Sequence, residues 1–291
     1  MHRNLKYDLL IINNICICGA GTMGSGIAQA TAQAGLPTIL YELSPTVLEK
    51  AQTAIGSNLQ KLVDKGKLTP AQKETILGGI RFTGDIQTCI ADICIEAIIE
   101  KTDVKIALFN QLAFINSNAC ILATNTSSLP VTAIAAALPN PERVIGLHFF
   151  NPAPLMKLVE IVKTKYTSDT TIQTIQKLAA QMSKTAVLCK DAPGFIVNRV
   201  ARPYYIESLR LVEEGITDFE QADALLEASG FRMGPFKLMD LIGNDVNYAV
   251  SVSVYEQSGR PERLRPSPIQ GQHVQEGKLG RKTGTGYYNY S

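Results

Sequence analysis

This chain has almost no excess of charge of one sign. Its 28 Lys and Arg face 26 Asp and Glu, a formal net charge of +2. No strong field favours nucleic acid or an acidic partner, and no nucleic-acid role is expected. Long hydrophobic runs are missing too, and none approaches the roughly 18 residues of a membrane span. The apolar patch Leu9–Ile12 is too short for a secretory leader, and no small-residue cleavage site follows it. A cytoplasmic chain with no membrane partner is expected. Cysteine is sparse, six in 291 residues, which excludes a disulfide scaffold. Cys16 and Cys18 alternate within an apolar stretch, so both fall on one face of a strand. No Cys or His lies at zinc-ligand spacing from them, so reduced thiols and no metal are expected. Glycine, proline, apolar and charged contents are ordinary, which excludes collagen-like, low-complexity and disordered chains. A folded chain of about two domains remains, at roughly 150 residues each.

From about residue 14 to 190, short β-rich runs alternate with helical patterns. Strands are expected at Ile15–Cys18, Thr38–Tyr41, Asp92–Ala97, Cys120–Ala123, Val144–Phe149, Leu158–Val162 and Thr185–Leu188. Helices are expected at Thr22–Ala34, Pro45–Lys65, Val104–Ile115 and Ser168–Gln181. Such alternation predicts parallel strands joined by crossover helices, a Rossmann-like doubly wound α/β sheet. After Asp191 the texture changes. Pro193-Gly194 punctuates the chain, and helical periods follow over Phe195–Glu214, Asp218–Ala228 and Phe236–Tyr255 with no convincing strand. The reading is a domain over residues 1–190 and an all-helical C-terminal domain over 191–291.

Gly19-Ala20-Gly21-Thr22-Met23-Gly24 reads G-x-G-x-x-G. Three glycines so spaced arise by chance about 0.13 times in such a chain, so the string alone is weak. Its setting is informative, because it follows an apolar strand and opens a helix. The glycines allow a tight turn and let backbone N–H groups, Thr22 and Met23 among them, approach a pyrophosphate at the positive helix end. Glu42 ends the second strand, where its carboxylate can accept hydrogen bonds from an adenosine ribose and repel a 2′-phosphate. That favours NAD over NADP.

Of the three histidines, His2 is terminal and His273 lies in a polar, Gly-flanked segment; both are expected on the surface. His148 closes the apolar run Val144–Leu147. Glu160 interrupts another apolar strand, Leu158–Val162, and a buried unpaired carboxylate is costly. A His148–Glu160 pair resolves both oddities, since the carboxylate fixes the imidazole tautomer and raises its basicity. Beside a nicotinamide, such a pair is a general base for oxidising an alcohol. Ser127, in Asn125-Thr126-Ser127-Ser128, follows a strand at the carboxyl edge of the sheet. It either bonds the reacting oxygen or caps the next helix, a task Ser128 can also perform. Asn198 begins the helical region and is a candidate partner for the substrate.

With these residues in hand, the chain resembles the 3-hydroxyacyl-CoA dehydrogenase family over nearly its whole length. The resemblance lies in GAGTMGSGIA (19–28), EAIIE (96–100), NTSSL (125–129), GLHFFNPAPLMKLVEIV (146–162), KDAPGFIVNR (190–199), GPFKLMDLIG (234–243) and LGRKTGTGYY (279–288). It implies NAD-linked oxidation of (S)-3-hydroxyacyl-CoA to 3-oxoacyl-CoA by a homodimer built through the helical domain. His148 then matches the base and Glu160 its orienting carboxylate, while Ser127 and Asn198 match the residues holding the substrate's oxygens. Glu42 matches the ribose acid, where Asp is commoner. Glu100, Lys105, Ser127, Asn151 and Lys282 match NAD contacts. Asn58, at a site often Ser, and Lys65 match CoA contacts, and Lys61 lies one turn before Lys65 on the same face. For these lysines the rival is a solvated helix face. The first dozen residues extend past the family's usual start, and disorder is expected there.

The leading expectation is a short-chain 3-hydroxyacyl-CoA dehydrogenase acting on an acyl-CoA substrate. Two alternatives stand beside it. One is a sugar-acid dehydrogenase on the same scaffold. The other is a non-catalytic NAD-binding protein, as in the lens-crystallin relatives, against which the intact Ser127, His148, Glu160 and Asn198 argue.

Overall fold

The computed structural model describes residues 11–290. The expectations for His2 and for most of the first dozen residues lie outside those described. The chain divides into two compact units, one up to Asp191 and one from Ala192.

The first unit runs β1 (Ile15–Cys18), α1 (Thr22–Gln33), β2 (Thr38–Tyr41), α2 (Pro45–Asp64), α3 (Pro70–Gly78), β3 (Ile80–Thr83), β4 (Ile93–Glu96), α4 (Thr102–Ile115), β5 (Ile121–Thr124), α5 (Val131–Ala136), β6 (Val144–Phe149), β7 (Leu158–Lys163), α6 (Asp169–Gln181) and β8 (Thr185–Lys190). The strands make one sheet, ordered β3-β2-β1-β4-β5-β6-β7-β8. Every residue of β1, β2, β4 and β5 is buried, as parallel strands covered on both faces require. In β1 the alternation sorts the core. Ile15 and Ile17 join Ile27, Leu40 and Ile55 on one face, and Cys16 and Cys18 join Cys94, Phe109 and Leu112 on the other. All six thiols are free. Connections diverge between β1 and β4, which opens a crevice at the carboxyl ends of these strands, where ligands bind in such sheets.

The sheet departs from the expectation in two places. β6 and β7 are antiparallel, because residues 150–157 between them are too few for the dozen or so that a parallel crossover takes. β3 and α3 were not anticipated. β3 is a half-exposed edge strand with only Ile80 buried, so it lacks a buried strand's apolar signature. α3 does carry a local signal, a capping box in which Gln72 N donates to Thr69 Oγ1 (3.2 Å) and Thr69 N to Gln72 Oε1 (2.8 Å).

The second unit holds α7 (Val197–Glu213), α8 (Phe219–Ala228), α9 (Pro235–Ile242), α10 (Asn244–Gln257) and α11 (Pro268–Gln275). The expected helix Phe236–Tyr255 is broken at Gly243, whose φ of 101° is left-handed backbone that ends α9 and re-aims the chain. Its core is Tyr205, Leu209, Phe236 and Met239. Two buried carboxylates organise it. Asp223 accepts from the Phe236 and Lys237 backbone N–H groups (2.9 and 3.0 Å) and from the Tyr288 hydroxyl (2.8 Å). Asp240 accepts from Asn244 Nδ2 (2.9 Å), the Tyr287 and Tyr288 N–H groups and the Tyr290 hydroxyl (3.0 Å each), which ties down the terminal segment. A side chain at Gly286 would collide with Asp240. His273 corrects the surface expectation. It is only partly exposed, stacks on Tyr287 at 4.5 Å, and burial pushes its pKa down.

Candidate active site

The glycine turn joins β1 to α1. Gly19 has a φ of 100°, and a Cβ on Gly24 would lie 1.7 Å from the Gly19 carbonyl oxygen, so both positions demand glycine. A Cβ on Gly21 would meet nothing within 4 Å. The turn is thus open on the side where a pyrophosphate would approach. No side chain caps α1, leaving its first-turn amides, Thr22 and Met23 included, for an anion. The residues present fit a dinucleotide. Glu42, just past β2, accepts from Ala20 N (3.0 Å) and Ser44 N (3.1 Å), which fixes its carboxylate beside the turn.

A chain of charges runs along the carboxyl ends of β4 and β5. Glu96, fully buried, accepts from Lys105 Nζ (2.5 Å), Ile98 N (2.7 Å) and Thr124 Oγ1 (2.7 Å). The Lys105 ammonium also reaches Glu100 Oε2 at 3.1 Å. Glu100 in turn accepts from Thr126 Oγ1, Ser127 N (3.2 Å) and Ser128 Oγ (3.2 Å). Burial alone would raise the Glu100 pKa; the Lys105 charge and the Thr126 and Ser127 hydrogen bonds outweigh it and hold the carboxyl below its ordinary value. Lys105 is 0% exposed. Its ammonium is held between Glu96 and Glu100, next to the Ser127 loop.

His148 and Glu160 are directly opposed in the antiparallel register of β6 and β7. Nδ1–H of His148 donates to Glu160 Oε2 at 2.7 Å. Because the carboxylate can only accept, the proton sits on Nδ1 and Nε2 is left as the basic nitrogen. Both residues are buried, Glu160 fully. Asn125, at the end of β5, accepts from Phe149 N (2.9 Å) and so ties the Ser127 loop to the strand bearing His148. Asn151 is exposed at the head of the segment that follows β6. That segment is held from two sides. Gly26 of α1 faces Ala153 and Pro154, and Lys184 donates to the Ala153 and Met156 carbonyls (2.6 and 2.7 Å).

The CoA candidates lie elsewhere on the first unit. Asn58, Lys61 and Lys65 are all exposed, with Asn58 on α2, Lys61 in its last turn and Lys65 as its C-cap. Neither lysine has an acidic partner among the described residues. Both also suit the negative end of the helix dipole, the rival reading for their presence. On the second unit, Asn198 is in the first turn of α7, and Arg202 Nε donates to its carbonyl (3.0 Å). Lys282 pairs with both oxygens of Asp245 (2.5 and 2.7 Å).

Sequence reasoning missed Thr126, Asn125, Lys184 and the part played by Glu96. Glu96 could have been found by the signal that exposed Glu160, a carboxylate in an otherwise apolar strand. Among the described residues no cluster of His, Cys, Asp or Glu could hold a metal, and no helix is long and apolar enough to cross a membrane.

Fold and glycine turn define a dinucleotide-binding protein of the doubly wound class. The family described as 3-hydroxyacyl-CoA dehydrogenase, NAD binding domain, matches residues 14–192, and the corresponding C-terminal domain matches residues 194–290. The 3-hydroxyadipyl-CoA dehydrogenase of Escherichia coli (strain K12) is 44% identical over 97% of this chain. The chain spans 60% of that relative's length. The mitochondrial hydroxyacyl-coenzyme A dehydrogenase of Sus scrofa is 38% identical over 97% of this chain and 92% of its own. A crystal structure of (S)-3-hydroxybutyryl-CoA dehydrogenase from Ralstonia eutropha superposes with a TM-score of 0.93 at 37% identity, covering 97% of this chain and 100% of that one. The chain belongs to the 3-hydroxyacyl-CoA dehydrogenase family. These likenesses support the acyl-CoA reading and lend nothing to the sugar-acid alternative.

Proposed function

We propose that the protein oxidises short-chain (S)-3-hydroxyacyl-CoA thioesters to 3-oxoacyl-CoA with NAD, reversibly. The observation that carries this reading is the His148–Glu160 pair, locked by strand register with Nε2 of His148 left basic. NAD, when bound, accepts the hydride from C3. As that hydride leaves, His148 Nε2 takes the hydroxyl proton and the C–O bond becomes a carbonyl; in reduction the imidazolium returns the proton. Glu160 balances the imidazolium charge. Ser127, held through Glu100 and Lys105, is assigned to the substrate's oxygen, as is Asn198 on the helical unit. The turn from Gly19 to Gly24, with Glu42, Glu100, Lys105, Ser127, Asn151 and Lys282, is assigned to the dinucleotide. Asn58, Lys61 and Lys65 are assigned to CoA phosphates, and Glu42 to the preference for NAD over NADP.

A homodimer formed through the helical unit is part of this reading. Its support is apolar surface on that unit, with Val200, Ile216 and Leu225 each at least 65% exposed. A reducing, cytoplasmic setting accords with the six free thiols. The test of the activity is an NADH-oxidation assay comparing acetoacetyl-CoA with free acetoacetate. Turnover of the thioester alone is expected; faster turnover of the free acid would overturn the CoA assignment.

A further inference from the structure

Lys105 is one ammonium between two carboxylates. It donates to Glu96 Oε1 at 2.5 Å and reaches Glu100 Oε2 at 3.1 Å. Both acids accept at both of their oxygens. Glu96 takes bonds from Lys105 Nζ, the Ile98 N–H and the Thr124 hydroxyl. Glu100 takes them from Thr126, Ser127 and Ser128, with Lys105 at its other oxygen. Among the described residues neither acid has a second basic partner. The cluster therefore keeps one net negative charge. Glu96 and Lys105 are both 0% exposed, so water and salt do little to screen it.

A buried acid without a cation of its own is costly, and the architecture does not require this one. A glutamine at position 96 would fill the same space, accept from Lys105 and Ile98 through its carbonyl, and donate to the Thr124 hydroxyl. The place of the surplus charge is informative. Glu96 stands opposite Cys18 in the parallel register of β4 and β1. The next residue, Ala97, closes against the glycine turn, where a Cβ on Gly19 would lie 2.6 Å from the Ala97 carbonyl oxygen. On the other flank, Asn125 N donates to the Glu96 carbonyl (2.8 Å) at the head of the Ser127 loop. Glu42 lies on the β2 side of the same turn. A dinucleotide spans such a crevice with its pyrophosphate at the turn. With the adenosine ribose at Glu42, the nicotinamide half runs to the β4–β5 side, where the cluster lies. That ring carries a positive charge in NAD and none in NADH.

We propose that the Glu96–Lys105–Glu100 cluster reads the oxidation state of the cofactor, its surplus negative charge favouring the cationic nicotinamide of NAD over the neutral ring of NADH. This rests on the assignment of the Gly19–Gly24 turn, Glu42, Glu100 and Lys105 to the dinucleotide. The attraction ends when hydride transfer discharges the ring, so the cluster holds NAD for oxidation and loosens NADH afterwards. Burial alone would raise the Glu100 pKa, but the Lys105 charge and the loop's hydrogen bonds hold it low, which keeps the acid charged at neutral pH. Glu96, with no exposed surface, acts through its field and not by contact.

The test is of binding, not of turnover. The Kd for NADH is read from its own fluorescence, and that for NAD from displacement of NADH, in wild type and in Glu96→Gln. The variant should bind NAD at least about fivefold more weakly, the scale of one poorly screened charge, and NADH within about twofold of wild type. Glu100→Gln, at the partly exposed end of the cluster, should move the ratio of the two constants in the same direction. It supplies the test should Glu96→Gln fail to fold. A loss shared equally by NAD and NADH would make the cluster a structural tie and overturn the proposal. Constants unchanged for both cofactors would overturn it as well. Binding of neither cofactor by wild type would remove the dinucleotide assignment, and the proposal with it.

Discussion

The two units bury their acids in opposite ways. In the first, the buried acids face partners that can be charged: Glu96 pairs with Lys105, Lys105 with Glu100, and Glu160 with His148. In the second, buried Asp223 and Asp240 are held by backbone N–H groups and hydroxyls, and Arg202 by carbonyls and a serine. Fixed neutral dipoles keep an ion in one protonation state and make a scaffold. A neighbour that titrates instead makes an ion pair able to hold or release a proton. The difference accords with the proposal that His148 and Glu160 of the sheet carry the proton chemistry.

The comparison breaks most readily at His148. His148→Gln should lower kcat at least 10²-fold, the scale of general acid–base catalysis, with NAD affinity little changed. A near-normal kcat would take His148 out of the mechanism. Stability should divide the two units next. Lys105→Met leaves two acids behind with no cation and should cost about 3–5 kcal/mol in chemical denaturation. Arg202→Met removes a cation that has no acid, and relief of its desolvation should hold the loss to about 1 kcal/mol. Equal losses would erase the distinction. Glu42→Ala should raise the KM for NAD and narrow its advantage over NADP; a wild type that uses NADP as well would show that Glu42 has another task. A smaller effect is expected at Lys65. Lys65→Ala should raise the KM for acetoacetyl-CoA, and the defect should shrink in high salt as screening weakens the wild-type contact. A salt-independent defect would favour helix capping over phosphate binding.

Much of the first unit was legible because its signals are local. A glycine turn between a buried strand and a helix, and a carboxylate ending the next strand, are read from neighbouring residues. The His148–Glu160 pair was legible for a different reason: each residue breaks an apolar strand, and one contact removes both anomalies. Its antiparallel register was not legible, because the pattern of a buried strand is the same in either direction. Only the short link over residues 150–157 carried that information. β3 escaped because an edge strand buries little. The break at Gly243 escaped because a 3.6-residue period continues across it. Lys105 could not be placed from spacing, since its position between Glu96 and Glu100 depends on β4, α4 and β5 meeting in space. His273 shows the converse. A polar, glycine-rich context suggested surface, yet Tyr287 and Phe219 enclose its ring.

The central claim is that Glu160 sets the basicity of His148, and the pH–rate profile of Glu160→Gln tests it most directly. Removing the counter-charge destabilises the imidazolium that forms as the hydroxyl proton is taken, so kcat and kcat/KM for oxidation should both fall. A profile that superposes on that of the wild type across the whole pH range would contradict the pairing as the source of catalysis.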